Sequence, residues 1–221
     1  VTPGDVLSVD DGRVRLRVVR AGETWLEARA LGGGTLAPRK GVNVEQHPVR
    51  LAGLTPADRD SIDVASRGGV RAFAFSFMET GEEAEWVRSQ APGALVVGKI
   101  EREESLRALP AIARRTDAVW VCRGDLGAQL GPARLAREVA AISPGACGAP
   151  LLMAGQVLQH LVDHDEPTRS EVCHLHDLLA RGYAGIVLSD ETAIGRDPIR
   201  AVRTASTLLQ ALTPLAPAAP R

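Results

Sequence analysis

From Leu54 to Leu212 the chain repeats one pattern: a short apolar run, then a stretch with helical spacing. Val70 to Phe77 precedes a helix over roughly Gly81 to Gln90. Ala94 to Gly98 precedes Glu103 to Arg115, and Ala118 to Cys122 precedes Pro132 to Ile142. Pro150 to Ala154 leads into a helix ending near Asp163, with another from Arg169 to Arg181. Gly185 to Ser189 leads into Pro198 to Leu212. Runs of this length, continuous rather than alternating and rich in β-branched residues, suit parallel strands buried on both faces. A leading helix opens at Thr55-Pro56-Ala57-Asp58, with Thr as N-cap and Pro in the first turn, and runs to about Arg67. Five strand–helix units in succession predict a parallel sheet with right-handed crossovers. They are too few to close an eight-stranded barrel.

The first 45 residues have a different texture. Val6 to Val9 runs into Asp10-Asp11-Gly12 and then Val14 to Val19, a hairpin signal with an Asp-Gly turn. Thr24 to Leu31 reads as a third strand, closed by Gly32-Gly33-Gly34. A segment this small is a module rather than an independent domain. The expected organisation is a β-rich segment over 1–45, a partial (β/α) barrel over 46–212 and a flexible tail over 213–221, whose last eight residues carry three prolines.

The chemistry gathers at two strand ends. Lys99-Ile100-Glu101 follows the second apolar run, and Arg123-Gly124-Asp125-Leu126-Gly127 follows the third. Strand C-termini are where α/β sheets place ligand chemistry. Carboxylates on neighbouring strand ends can share one divalent ion, and a lysine beside them adds positive charge. Such a set suits a small anionic substrate whose enolate or phosphoryl oxygen needs electrostatic support. The chain has 26 Lys and Arg residues, of which only Lys40 and Lys99 are lysines. Keeping lysine at 99 against that bias points to a need for a compact ammonium. Read alone, Lys99 is equally a strand-end surface residue.

Bulk properties narrow the function. A net charge of -1 and 3% aromatic content argue against a nucleic-acid partner. No apolar run is long enough for a membrane span, and no secretory signal is expected at the N-terminus. Cys122, Cys147 and Cys173 are an odd, scattered set that fits reduced thiols and a cytoplasmic setting. Cys122 reads as a buried strand cysteine. His160, His164, His174 and His176 could suggest zinc, but surface histidines are the simpler reading.

With these motifs in view, the sequence resembles the pyruvate kinase family from about Gly4 to Val202. The landmarks fall in order: VDDG at 9–12, RKGVN at 39–43, Ser76-Phe77, Lys99-Ile100-Glu101, RGDLG at 123–127, PTR-E at 167–171, and Ser189, Glu191 and Thr192. The resemblance implies that the five units are strands four to eight of a (β/α)8 TIM-type barrel and that the N-terminal segment is the back half of a lid. It implies that Glu101 and Asp125 ligate Mg2+ or Mn2+, and that Lys99 stabilises charge on the transferring phosphoryl group and the enolate. The backbone N–H groups of Gly124 and Asp125 would hold the substrate carboxylate. Ser76 and residue 155 would touch substrate, and Thr168 could. The implied partners are phosphoenolpyruvate, pyruvate or another 2-oxo acid.

The chain also departs from the family pattern. Ala154-Gly155-Gln156 stands where the family has alanine-threonine-glutamine, so Gly155 offers no side chain to the carboxylate or to proton transfer. Asp190 and Glu79 add negative charge at signature positions. Counterparts of the family's first three strands, with a phosphoryl-binding arginine and the monovalent-cation ligands, are not found ahead of Val1, and no monovalent site is evident. Three functions therefore stand. The first is phosphoryl transfer between phosphoenolpyruvate and a nucleoside diphosphate, given a completing partner. The second is metal-dependent enolate chemistry on a 2-oxo acid, decarboxylase- or aldolase-like. The third is a non-catalytic partner subunit. An open five-stranded sheet would also favour a homo-oligomer or a complementing subunit.

Overall fold

A computed structural model describes residues 1–10, 12–38, 40–45 and 52–213. Asp11 of the hairpin turn, Arg39 of the RKGVN motif and residues 214–221 of the expected tail lie outside the described residues.

The described residues form two sheets. The first is antiparallel and contains β1 (Val6–Val9), β2 (Val14–Ala21), β3 (Leu26–Ala30) and β4 (Val42–Val44), in the order β3-β2-β1-β4. The hairpin pairs Val9 with Val14 and Val6 with Arg17. The turn uses left-handed backbone at Asp10 (φ 54°) and Gly12 (φ 87°), which glycine adopts freely and aspartate tolerates. β4 was not expected from the sequence: its three residues are too short to show a pattern, and pairing with β1 creates it.

The second sheet is parallel throughout. Its strands are β5 (Ala72–Phe75), β6 (Leu95–Ile100), β7 (Ala118–Cys122), β8 (Leu151–Ala154) and β9 (Gly185–Val187), ordered as in the chain, with β5 and β9 at the edges. This is the expected α/β architecture, and an open five-stranded sheet is consistent with a partial barrel. Val96, Ile100, Val119, Val121, Leu151 and Met153 are fully buried on one face, packed against the helices. The other face carries Val97, Lys99, Trp120 and Leu152, with Lys99 beside Trp120 and Trp120 beside Leu152 in register. That face is partly exposed, and Leu95 is 52% exposed.

The helices begin where the sequence places caps. α1 (Pro56–Arg67) starts at Thr55, whose hydroxyl accepts from Asp58 N while the Asp58 carboxylate accepts from Thr55 N. α2 is Glu83–Gln90. The single helix expected over 103–115 is instead two: α3 (Glu103–Arg107) and α4 (Leu109–Arg115). Pro110 lacks an N–H and its ring would clash with the preceding turn, so the helix stops at Ala108 and restarts. α5 (Arg123–Leu130), unexpected from the sequence, follows β7 without a loop, and α6 is Pro132–Ala141. The helix expected after β8 is a single 3-10 turn at Gln159–Val162. Gly155 (φ 81°) and Gln156 (φ 54°) turn the chain out of helical geometry there. α7 (Arg169–Ala180), a short α8 (Asp190–Ala193) and α9 (Pro198–Leu212) complete the chain. Among the described residues no helix is long and apolar enough to cross a membrane.

Candidate active site

Strand alternation on β6 sends Lys99 and Glu101 to the same face and Gly98 and Ile100 to the helices. Gly98 is forced by that packing, since a Cβ there would lie 2.8 Å from Met78 Sδ and 2.9 Å from Ile112 Cγ2. Lys99 Nζ sits 2.8 Å from Glu101 Oε1 and donates to Ser76 Oγ at 2.9 Å. The other Glu101 oxygen accepts from Phe77 N at 2.7 Å. Phe77 holds a left-handed φ of 57°, a sparsely populated conformation for an aromatic residue. The Arg102 guanidinium lies 4.6 Å from its ring centroid. The carboxylate of β6 therefore also fixes the loop after β5.

Asp125 comes from the first turn of α5, whose leading N–H groups have no partners inside the helix. Its Oδ1 accepts from Asn43 Nδ2 at 2.9 Å, a bond that ties β4 to this site. Gly155 faces the same helix end: a Cβ at 155 would lie 3.5 Å from both Arg123 N and Gly124 N. Lys99, Glu101, Gly124, Asp125, Gly155 and Ser189 all line one cavity of about 290 Å3. Glu101 and Asp125 also line a smaller cavity of about 50 Å3 bounded by Ser8 and Asn43 of the first sheet. Ser76 reaches this group through Lys99 rather than by lining the larger cavity. Asp190 and Glu79 do not line it either. Asp190 is exposed beside Gln159.

The electrostatics of the cavity are mutually dependent. Burial opposes the charge on Lys99, but the hydrogen bond and charge of Glu101 outweigh it and hold the ammonium above its ordinary pKa. Burial raises the Asp125 carboxyl; the Asn43 hydrogen bond opposes this and the negative charge of Glu101 adds to it. Burial, reinforced by the Glu101 charge, pushes the Cys122 thiol up to about 12. Cys122 is thus an inert thiol wall at neutral pH, as a buried strand cysteine should be. The two carboxylates, with the Glu101 side chain only 6% exposed, make a hard-oxygen donor pair. Among the described residues no group of three or more His, Cys, Asp or Glu is placed to hold a metal. An ion held by Glu101 and Asp125 would therefore draw its remaining oxygens from water and ligand, as open sites for hard cations do.

Several residues that build the site were quoted from the sequence only as motif members, without these roles. Glu191 is fully buried and accepts from Ser189 N at 2.7 Å and Leu158 N at 3.2 Å, joining the loops after β8 and β9. Glu171 completes a capping box with Thr168 and also accepts from His160 N at 2.9 Å. Arg123 donates to the Gly155 and Gln156 carbonyls and contacts His174. Each lies inside or beside a motif visible in the sequence, but its partner is remote along the chain, so only the fold reveals the pairing. The histidines do not form a cluster of four. His160 and His164 stack at 3.7 Å, whereas His174 contacts Arg123.

Comparison with known proteins places this geometry in context. The family profile described as "Pyruvate kinase, barrel domain" matches residues 1–202. A pyruvate kinase of Agrobacterium vitis is 32% identical over 213 residues, covering 95% of this chain and 45% of that protein. One from Agaricus bisporus is 32% identical over 206 residues, covering 90% and 39%. One from Thermotoga maritima is 29% identical over 213 residues, covering 93% and 46%. The chain thus spans less than half the length of these relatives. With a family profile across most of its length, and with lysine and two carboxylates converging at the ends of adjacent parallel strands, the chain belongs to the pyruvate kinase family.

Proposed function

We propose that this chain carries the divalent-metal and anion-binding part of a pyruvate kinase-type site and handles phosphoenolpyruvate, pyruvate or a related 2-oxo acid. The observation that carries the reading is the convergence of Lys99, Glu101, Gly124 and Asp125 on one cavity. In this reading Glu101 and Asp125 hold Mg2+ or Mn2+, which when bound supplies Lewis-acid polarisation of ligand oxygens. Lys99 keeps its positive charge through its bond to Glu101 and faces charge that develops on the ligand. The N–H groups of Gly124 and Asp125, at the start of α5, receive the carboxylate. Gly155 leaves open space over that helix end, and Ser76 orients the lysine. Phosphoryl transfer to a nucleoside diphosphate needs further charge clamps on the polyphosphate, so it is proposed for this site only when completed by further strands. Free Cys122, Cys147 and Cys173 support a reducing, cytoplasmic setting.

Isothermal titration of oxalate in the presence of Mn2+ tests the reading. Wild type is expected to bind, and Glu101→Gln is expected to weaken binding by about tenfold or more, since it removes one of two anionic ligands. Equal affinities would defeat it. A second reading, enolate chemistry on a 2-oxo acid, is favoured by Gly155: the metal side of the site is intact while position 155 lacks a side chain for the opposite face. Release of CO2 or an aldehyde from a 2-oxo acid without nucleotide would select it.

A further inference from the structure

Arg123 makes the densest set of polar contacts at the floor of the cavity, and among the described residues every acceptor it uses is neutral. Its Nε donates to Gly155 O at 2.9 Å; its Nη2 donates to the same oxygen at 2.5 Å and to Gln156 O at 2.9 Å. The guanidinium thus grips two successive carbonyls of the segment with left-handed backbone, at φ 81° and 54°. Glycine adopts such backbone freely, but at Gln156 it persists only where the surroundings over-determine it. That segment faces the N-terminus of α5: a Cβ added at Gly155 would come within 3.5 Å of the Arg123 and Gly124 nitrogens. The fourth contact is with His174 on α7, Nη1 to Nε2 at 2.9 Å. A guanidinium only donates, so His174 Nε2 is the acceptor and its proton sits on Nδ1. Protonating Nε2 would set two cations against each other at that distance.

We propose that Arg123 is a positioning residue for the anion site, its planar fork holding the 155–156 backbone in place and His174 orienting the fork as a neutral acceptor. The inference rests on the preceding assignment of the cavity and adds an acid-sensitive latch to it. Burial first, and then the Arg123 charge, hold the His174 imidazole below its ordinary pKa; Asp177 opposes and Arg181 assists. Tyr183 and Glu191 are the acidic groups that act on Arg123 itself. Because no carboxylate among its hydrogen-bond partners cancels its charge, Arg123 also biases the cavity floor toward anions.

The test compares wild type with Arg123→Lys, His174→Phe and His174→Gln. Oxalate affinity with Mn2+ is measured from pH 8 to 5.5, alongside amide hydrogen exchange of residues 154–158. Gln offers an acceptor that does not titrate; Phe offers none; Lys keeps the charge without the fork. Wild type is expected to bind about tenfold more weakly at pH 5.5 than at pH 7.5. His174→Phe and Arg123→Lys should be weak at both pH values and exchange faster at 154–158. His174→Gln should rescue most of the loss seen with Phe while flattening the acid decline. Wild type and His174→Gln sharing one pH profile, or exchange at 154–158 unmoved by Arg123→Lys and His174→Phe, would overturn the proposal. If wild type bound no oxalate at any pH, the anion-site assignment would fail, and the exchange data alone would decide whether Arg123 and His174 fix the loop.

Discussion

Several carboxylates in this protein accept backbone N–H groups from a segment remote in the chain. Glu101 holds Phe77, Glu191 holds Ser189 and Leu158, and Glu171 holds His160. Asp117 does the same for Val96, at 2.7 Å, while also receiving Arg88 at 2.9 Å. The Val96 hydrogen bond, opposed by burial and helped by Arg88, holds the Asp117 carboxyl below its ordinary pKa. A carboxyl depressed on folding stabilises the protein above its unfolded pKa and loses that contribution as pH falls through the folded value. The stability difference between wild type and Asp117→Asn, from urea denaturation, should therefore be constant from about pH 7 to 5 and shrink below about pH 4. A difference that persists unchanged at pH 3 would refute the charge-based account. Lys99, Glu101 and Asp125 could be picked out as candidates by residue type and by position at strand ends, and the fold brings them to one cavity. The roles of Arg123, Asn43 and His174 could not be read this way, because their partners lie 32, 82 and 51 residues away.

At the scale of elements, the caps carried the most reliable signal. α1 begins at Thr55 and α9 spans the expected Pro198–Leu212. These starts are encoded by one polar side chain and one proline, within four residues. What escaped was set by backbone geometry rather than composition: the break at Ala108, the 3-10 turn after β8, and α5 growing directly out of β7. The two partners of the α7 capping box also differ in load. Thr168→Ala should lower stability by about 1 kcal/mol, the usual loss for a cap. Glu171→Ala should cost more, because it also strips the acceptor from His160 N, whose hydrogen bond lies in a partly buried setting. Chemical denaturation of the two variants would settle the order, and equal losses would show that the His160 contact contributes nothing.

For the molecule as a whole, the strand order was legible because consecutive parallel strands joined by helices leave little topological choice. The state of the open face was legible too, since five strands cannot close as eight do. Exposed apolar side chains include Trp25, Leu31 and Leu36 in the N-terminal segment and, around the parallel sheet, Leu95, Val64 and Val70 just before β5 in sequence and Ile194, Ile199 and Val202 after β9. At about 25 cal/mol per Å2, a few hundred Å2 left bare is comparable to the whole stability of a domain. The 221-residue polypeptide produced alone is therefore expected to associate at micromolar concentration, as read by light scattering. A cooperatively melting monomer would contradict this.

The shared direction of β5 through β9 sets a rule for any association that continues the parallel sheet from copy to copy. Edge β5 of one copy meets edge β9 of the next with the strands still parallel, so donor edge and acceptor edge are different surfaces. The contact is head-to-tail, and it closes into a ring only when the curvature of the sheet returns the last edge to the first. Otherwise it propagates. The same geometry that leaves the strand ends open for ligand thus makes the number of copies a question of curvature rather than of affinity.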